Sequence, residues 1–177
     1  MLFRSQQQML GHLKQPKLVV ADTMNLWITT ERVELVKLLK KIDGLVLNDG
    51  EARLLTEQKN LILAAREVLK LGPKFVVIKK GEHGCLLCTA RDTFVLPAFP
   101  ADTVVDPTGA GDSFAGGMMG YLSTQGNTSV ATVKRALAFG TVVASYTIAD
   151  FSLGGLQKTN REQIDERWNQ FKQVMSF

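Results

Sequence analysis

Short unbroken apolar runs alternate with stretches of helical spacing along the first half of the chain. Lys17 to Ala21 (KLVVA) and Gly44 to Leu47 (GLVL) are runs of the first kind, which suits buried parallel strands. Glu31 to Ile42 and Asn60 to Leu71 space their apolar residues as helices do, and Gly72-Pro73 stops the second. Lys74 to Lys80 (KFVVIKK) predicts another buried strand, and Gly84 to Thr89 with Thr93 to Leu96 a hairpin or edge pair. This alternation argues for an α/β domain with a mostly parallel sheet covered by helices on both faces. From Gly111 onward the pattern turns helical, over Asp112 to Ser123, Ser129 to Ala149 and Asn160 to Met175. The middle helix is apolar nearly all round and must be buried. Lys134 and Arg135 interrupt it, and its glycine and serines suit close packing, so it reads as a core helix rather than a membrane span.

Composition narrows the picture. With 45% hydrophobic and 21% charged residues, the 177-residue chain can bury one core, and no linker or repeat divides it, so a single domain over 1–177 is expected. The net charge of +4 comes from 21 basic residues scattered among 17 acidic ones. Without a basic stripe this is ordinary surface charge, and no nucleic-acid partner is expected. No run of 18 apolar residues and no leader-like N-terminus occurs, which predicts a soluble cytoplasmic protein with no membrane partner. Cys85 and Cys88 stand three apart in a predicted strand, on opposite faces, where they can neither chelate one metal nor close a disulfide. His12 and His83 lack a ligand partner at i+4 and are read as surface residues.

Candidate chemistry concentrates in Asp102 to Gly117 (DTVVDPTGAGDSFAGG), where an extended run ends in a glycine turn and a helix begins. Gly109 and Gly111 permit a backbone path closed to other residues, and unpaired N–H groups at a helix start attract phosphate oxygens. Asp112 there reads either as a helix cap or as a reactive carboxylate. Asn48 and Glu51 likewise fit a capping box at the start of the helix that follows Gly44 to Leu47.

Asp106 to Phe114 (DPTGAGDSF) resembles the signature D-T-x-G-A-G-D-x-F of the ribokinase-like (PfkB) kinases, with Pro107 as the departure. The resemblance implies a three-layer, Rossmann-like α/β fold and ATP-dependent phosphorylation of a hydroxymethyl group on a sugar or nucleoside. It implies that Asp112 is the general base and that Gly109, Ala110 and Gly111 form an anion hole for the transferring phosphoryl group. Phosphoryl transfer needs an oriented nucleophile and stabilised charge more than covalent help, and the two features supply both.

Two further segments resemble family elements in the expected order. Leu45 to Leu55 (LVLNDGEARLL) is similar to the N-x-x-E element, which implies that Asn48 and Glu51 hold magnesium through its water shell. Val76 to Gly84 (VVIKKGEHG) is similar to the strand and turn lining the nucleotide, which brings Lys79, Gly81 and Gly84 near phosphates and ribose. Lys17 to Ile28 resembles a mid-fold strand with its D-x-N turn. Leu137 to Ser152 resembles the helix and loop flanking adenine and, in some members, a potassium-like monovalent cation held by backbone oxygens near Asp106 and Thr108. The resemblance covers nearly the whole chain but only the C-terminal part of the family fold. Ser5 to Gln15 accordingly reads as the end of a helix, and the N-terminal strands, the lid and the G-G-x-x-N element are expected to be missing. A sheet cut in this way exposes an apolar edge, which favours either self-association into a homo-oligomer or marginal stability. The rival readings are a nucleotide-binding fragment without turnover and an α/β domain without a ligand.

Overall fold

A computed structural model describes residues 8–176. The helical segment 8–12 (α1) carries His12 and matches part of the helix expected over Ser5 to Gln15; Ser5 to Gln7 lie outside the described residues. Two compact units follow. The first runs to Gly81 and takes in Cys85–Val95; the second comprises Glu82–Gly84 and the chain from Leu96.

The first unit holds strands β1 (Val20–Asp22), β2 (Gly44–Asn48), β3 (Phe75–Lys79) and β4 (Cys85–Thr89), with β5 (Thr93–Leu96) completing the order β1-β2-β3-β4-β5. The β1–β2 and β2–β3 pairs are parallel and the β3–β4 pair is antiparallel, giving a mixed, mostly parallel sheet. Strand side chains alternate between its faces. Leu45, Leu47, Val76, Ile78, Leu86 and Cys88 join the main core on one face, while Val46, Val77, Leu87 and Cys85 are equally buried on the other. Both faces are therefore covered, as the three-layer α/β class requires. The two cysteines are free and lie on opposite faces as expected, and burial pushes the Cys85 thiol up to about 12.

Helices α2 (Asn25–Thr30), α3 (Arg32–Leu39), α4 (Asp49–Thr56) and α5 (Leu61–Lys70) complete this unit. The helix expected over Glu31 to Ile42 is present as α3, and α2 precedes it as an element the sequence pattern did not announce. Thr29 and Thr30 turn their hydroxyls onto the Asn25 and Leu26 carbonyls, and Glu31 leaves the helical region at φ −127°. The break lets α2 bury Ile28 while α3 buries Leu35, Leu38 and Leu39. Strand β1 starts at Val20 rather than Lys17, because Asp43 takes up Val19: its carboxylate accepts the Val19 N–H at 2.9 Å and its own N–H donates to the Val19 carbonyl at 2.8 Å. Lys74 pairs with the same carboxylate at 2.7 Å, so one aspartate aligns the entries of three strands.

The second unit holds α6 (Ala110–Ser123), α7 (Val130–Thr147), the short α8 (Gly154–Gln157) and α9 (Arg161–Val174). Helix α7 is buried as predicted. A Cβ on Gly140 would lie 2.5 Å from the Phe114 carbonyl oxygen, so α6 and α7 touch backbone to backbone at this point. Asn160 and Gln163 form a capping box at the start of α9. The Arg167 guanidinium of α9 stacks 3.6 Å from the centre of the Tyr146 ring and donates to the Ser145 hydroxyl. Among the described residues no helix is long and apolar enough to cross a membrane.

Candidate functional site

In the first unit, polar groups gather where the parallel strands end. Strand β1 ends on Asp22, β2 on Asn48 and β3 on Lys79, and Asn48 and Lys79 are direct partners in the sheet. Carboxyl ends of parallel strands are where open α/β sheets bind ligands. Asn48 caps α4: its side-chain oxygen accepts the Glu51 N–H at 2.8 Å, and the Glu51 carboxylate accepts the Asn48 N–H at 2.8 Å. The capping box expected from sequence is therefore present, and it fixes both side chains that the resemblance assigns to magnesium. Lys79 reaches across the end of β2 to Asp22, with 2.9 Å between ammonium and carboxylate. Gly81 follows at φ 55° with open space around it, at the head of a single 3-10 turn that leaves His83 on the surface.

Glu51 is 7% exposed. Burial lifts its carboxyl above the ordinary 4.5 and the Asp22 carboxylate adds to the lift, against the pull of the Asn48 N–H and Lys79. The native chain thus holds this proton to higher pH than the unfolded chain. The group's contribution to stability is fullest below about 4.5 and falls as pH rises through the folded value. Glu51→Gln keeps an acceptor for the capping box and removes the buried charge. Its melting temperature, measured without divalent ions, is expected to match the wild type near pH 4 and to exceed it by about 2 °C near pH 8. A lower value at the higher pH contradicts the account.

In the second unit, Asp106 to Asp112 forms a tight turn. The Asp106 carboxylate accepts the Thr108 N–H at 2.9 Å, and Ala110 N–H donates to the Pro107 carbonyl at 3.1 Å. The Thr108 hydroxyl foremost, then the backbone of Thr108 and Ser152, holds the Asp106 carboxyl below the usual range. Gly109 is the helix cap, at φ 79° and ψ −2°, and Asp112 stands inside the first turn of α6. The cap reading of Asp112 is therefore replaced: glycine takes that place because the backbone there is left-handed. The Asp112 carboxylate is exposed and has no hydrogen-bond or ion-pair partner among the described residues. The Gly111 and Asp112 N–H groups likewise have no acceptor there, whereas that of Ala110 is engaged with Pro107. Two unengaged donors at the positive end of a 14-residue helix suit an anion.

The turn is anchored to α7. The Ile148 carbonyl accepts the Val105 N–H at 2.8 Å and the Asp106 N–H at 3.4 Å, and Thr147, fully buried, donates its hydroxyl to that of Ser113 at 2.7 Å. The sequence pattern gave neither Ile148 nor Thr147 an anchoring role, and it missed Asp22 as a partner of Lys79; the one signal for the latter is an aspartate directly after the apolar run Lys17 to Ala21. Gly84, expected near the nucleotide, has φ 77°, and a Cβ there would lie 2.0 Å from the Leu96 carbonyl oxygen, so its identity is demanded by packing. Among the described residues no group of three or more His, Cys, Asp or Glu side chains could hold a metal directly. Asn48 and Glu51 suit a magnesium ion that keeps most of its waters.

The profile of the pfkB family carbohydrate kinases matches residues 7–158. The chain is 32% identical, over 117 residues, to the bifunctional ribokinase/ribose-5-phosphate isomerase A of Fructilactobacillus sanfranciscensis, covering 63% of this chain and 21% of that protein. It is 38% identical, over 88 residues, to the cytidine kinase of Thermococcus kodakarensis, covering 48% of this chain and 31% of that one. Aminoimidazole riboside kinase from Salmonella enterica, solved with aminoimidazole riboside and an ATP analog, superposes with a TM-score of 0.75 at 24% identity, over 85% of this chain and 52% of that chain. The chain spans about half the length of this solved relative, and less of the two others.

Proposed function

Because the chain belongs to the pfkB family of carbohydrate kinases, we propose that it carries the nucleotide-handling elements and the general base of an ATP-dependent phosphotransferase acting on a hydroxymethyl group of a sugar or nucleoside. The observation that carries this reading is the left-handed Gly109 turn feeding α6, with two unengaged N–H groups and an exposed carboxylate in one helical turn. ATP with magnesium supplies the phosphoryl group. Asp112 takes the proton of the acceptor hydroxyl, and the unengaged N–H groups of Gly111 and Asp112, presented by the Gly109 turn, hold the phosphoryl oxygens. Asn48 and Glu51 hold the magnesium through water, while Lys79, Gly81 and Gly84 line phosphates and ribose. Backbone oxygens around Asp106 and Thr108 hold a monovalent cation such as potassium.

Magnesium-ATP or ADP is expected to bind the 177-residue chain weakly, at about 0.1 to 1 mM, and to raise its melting temperature with the logarithm of ligand concentration. Gly111→Val sets a β-branched side chain beside the free N–H groups and should abolish the shift. A wild-type chain that shows no shift at about 10 mM nucleotide contradicts the reading.

A second reading, nucleotide binding without turnover, is favoured by the chain spanning 52% of the riboside kinase. By resemblance the three signatures belong to the C-terminal part of family kinases, which would leave the residues that choose the sugar or nucleoside in the part not spanned. Release of ADP by this chain, stimulated by any pentose, hexose or nucleoside, decides against that reading.

A further inference from the structure

We propose that Asp22 is a positioning residue, which holds the Lys79 ammonium at the carboxyl end of the sheet where it meets the phosphates of a bound nucleotide. This rests on the reading above that Lys79 lines the nucleotide.

Geometry carries the proposal. Asp22 ends β1 and Lys79 ends β3, with β2 between them, so the lysine spans the end of one strand to reach its partner at 2.9 Å. The second carboxylate oxygen accepts the Thr23 N–H at 2.8 Å, which fixes the aspartate from its own strand. The lysine of this pair is better shielded than the lysines of the surface pairs: the Lys79 side chain is 19% exposed, against 61% for Lys37 beside Glu34. Lysine is a flexible stem with three donors, and one donor given to Asp22 leaves two free for phosphate oxygens. Thr23, next along, is buried, and its hydroxyl has no hydrogen-bond partner among the described residues, so the end of β1 is built around the aspartate rather than the threonine. The remaining charged neighbour is Glu51, whose carboxyl feels both members of the pair.

Charge and position predict opposite signs, which makes the idea testable. Removing an acid beside an anion site strengthens anion binding if charge alone matters. If Asp22 positions Lys79, its removal weakens phosphate binding, because the ammonium regains its rotamers.

Calorimetric titration of the full chain with magnesium-ADP, magnesium-ATP and phosphate-free adenosine separates the two. Lys79→Met is expected to weaken both nucleotides about tenfold, and Asp22→Ala about fivefold, with adenosine affinity unchanged in each. The double variant should bind no more weakly than Lys79→Met alone, since the aspartate acts through the lysine. Asp22→Asn, which keeps the side-chain shape, serves if the alanine variant does not fold; it should weaken the nucleotides in the same direction, with its ligand-free melting temperature within about 2 °C of wild type. Nucleotide binding as tight as wild type or tighter in the Asp22 variants, with Lys79→Met still weakened, overturns the positioning role and leaves the nucleotide reading standing. An equal loss for adenosine and ADP also overturns it, by marking Asp22 as merely structural. Wild-type affinity in Lys79→Met removes Lys79 from the phosphates and overturns the positioning role with it, whereas no wild-type binding at about 10 mM overturns the nucleotide reading as well.

Discussion

Replacing Asp112 with asparagine is expected to lower phosphoryl-transfer turnover by at least about 100-fold, in whichever polypeptide carrying this chain turns over, and to leave nucleotide affinity within a few-fold. Asparagine has the same shape and fits the same helical turn, but it cannot take a proton from an acceptor hydroxyl. The carboxylate has no partner among the described residues, so the substitution breaks no contact there. Its structural cost is limited to a lost favourable charge at a helix start, about 0.3 to 1 kcal/mol. A 100-fold loss corresponds to about 2.7 kcal/mol of barrier, well above that, so the two causes can be told apart. Steady-state kinetics supply the check: kcat should fall while KM for ATP moves little. Turnover within a few-fold of wild type removes Asp112 from the role of base.

The second large effect concerns folding. Gly84→Ala is expected to cost about 3 kcal/mol, because two penalties coincide at one residue. The backbone stands at φ 77°, where an L side chain is strained, and the added Cβ would lie 2.0 Å from the Leu96 carbonyl oxygen and 2.5 Å from the Pro97 carbonyl carbon. Neither neighbour is the end of a flexible side chain, so backbone must move. For a chain of this length the melting temperature should drop by roughly 10 °C, read by thermal denaturation without ligand. Gly81→Ala is the comparison: its φ of 55° strains an alanine, yet nothing lies within 4 Å of the added atom, so its loss should be about 1 kcal/mol. Equal losses at the two positions contradict the packing argument.

Much of the architecture was legible because it is local. Apolar runs of strand length mark β2, β3 and β4, and Asn48 with Glu51 announces the start of α4 by a box that closes within three residues. The Gly109 turn is legible for the same reason, since a left-handed residue ahead of a helix needs glycine whatever surrounds it. Where local signals compete, the reading slipped. The apolar spacing of Glu31 to Ile42 yields α3 within those bounds, but no periodicity announced α2, which ends at Thr30 where the threonine hydroxyls turn back onto helix carbonyls. Strand β1 is displaced because Asp43, 24 residues away from Val19, claims that backbone first.

The amino-acid order alone determines the α/β class, the buried α7, the capping box and the glycine turn that starts the helix carrying Asp112, since each follows from spacing within a few residues. Tertiary structure alone decides that Lys79 meets Asp22, 57 residues apart, that Ala110 N–H is engaged while those of Gly111 and Asp112 are not, and that Gly84 answers to the Leu96 backbone. Those outcomes depend on which strand ends are brought side by side and on a clearance of a few ångströms, and no periodicity of apolar residues encodes either.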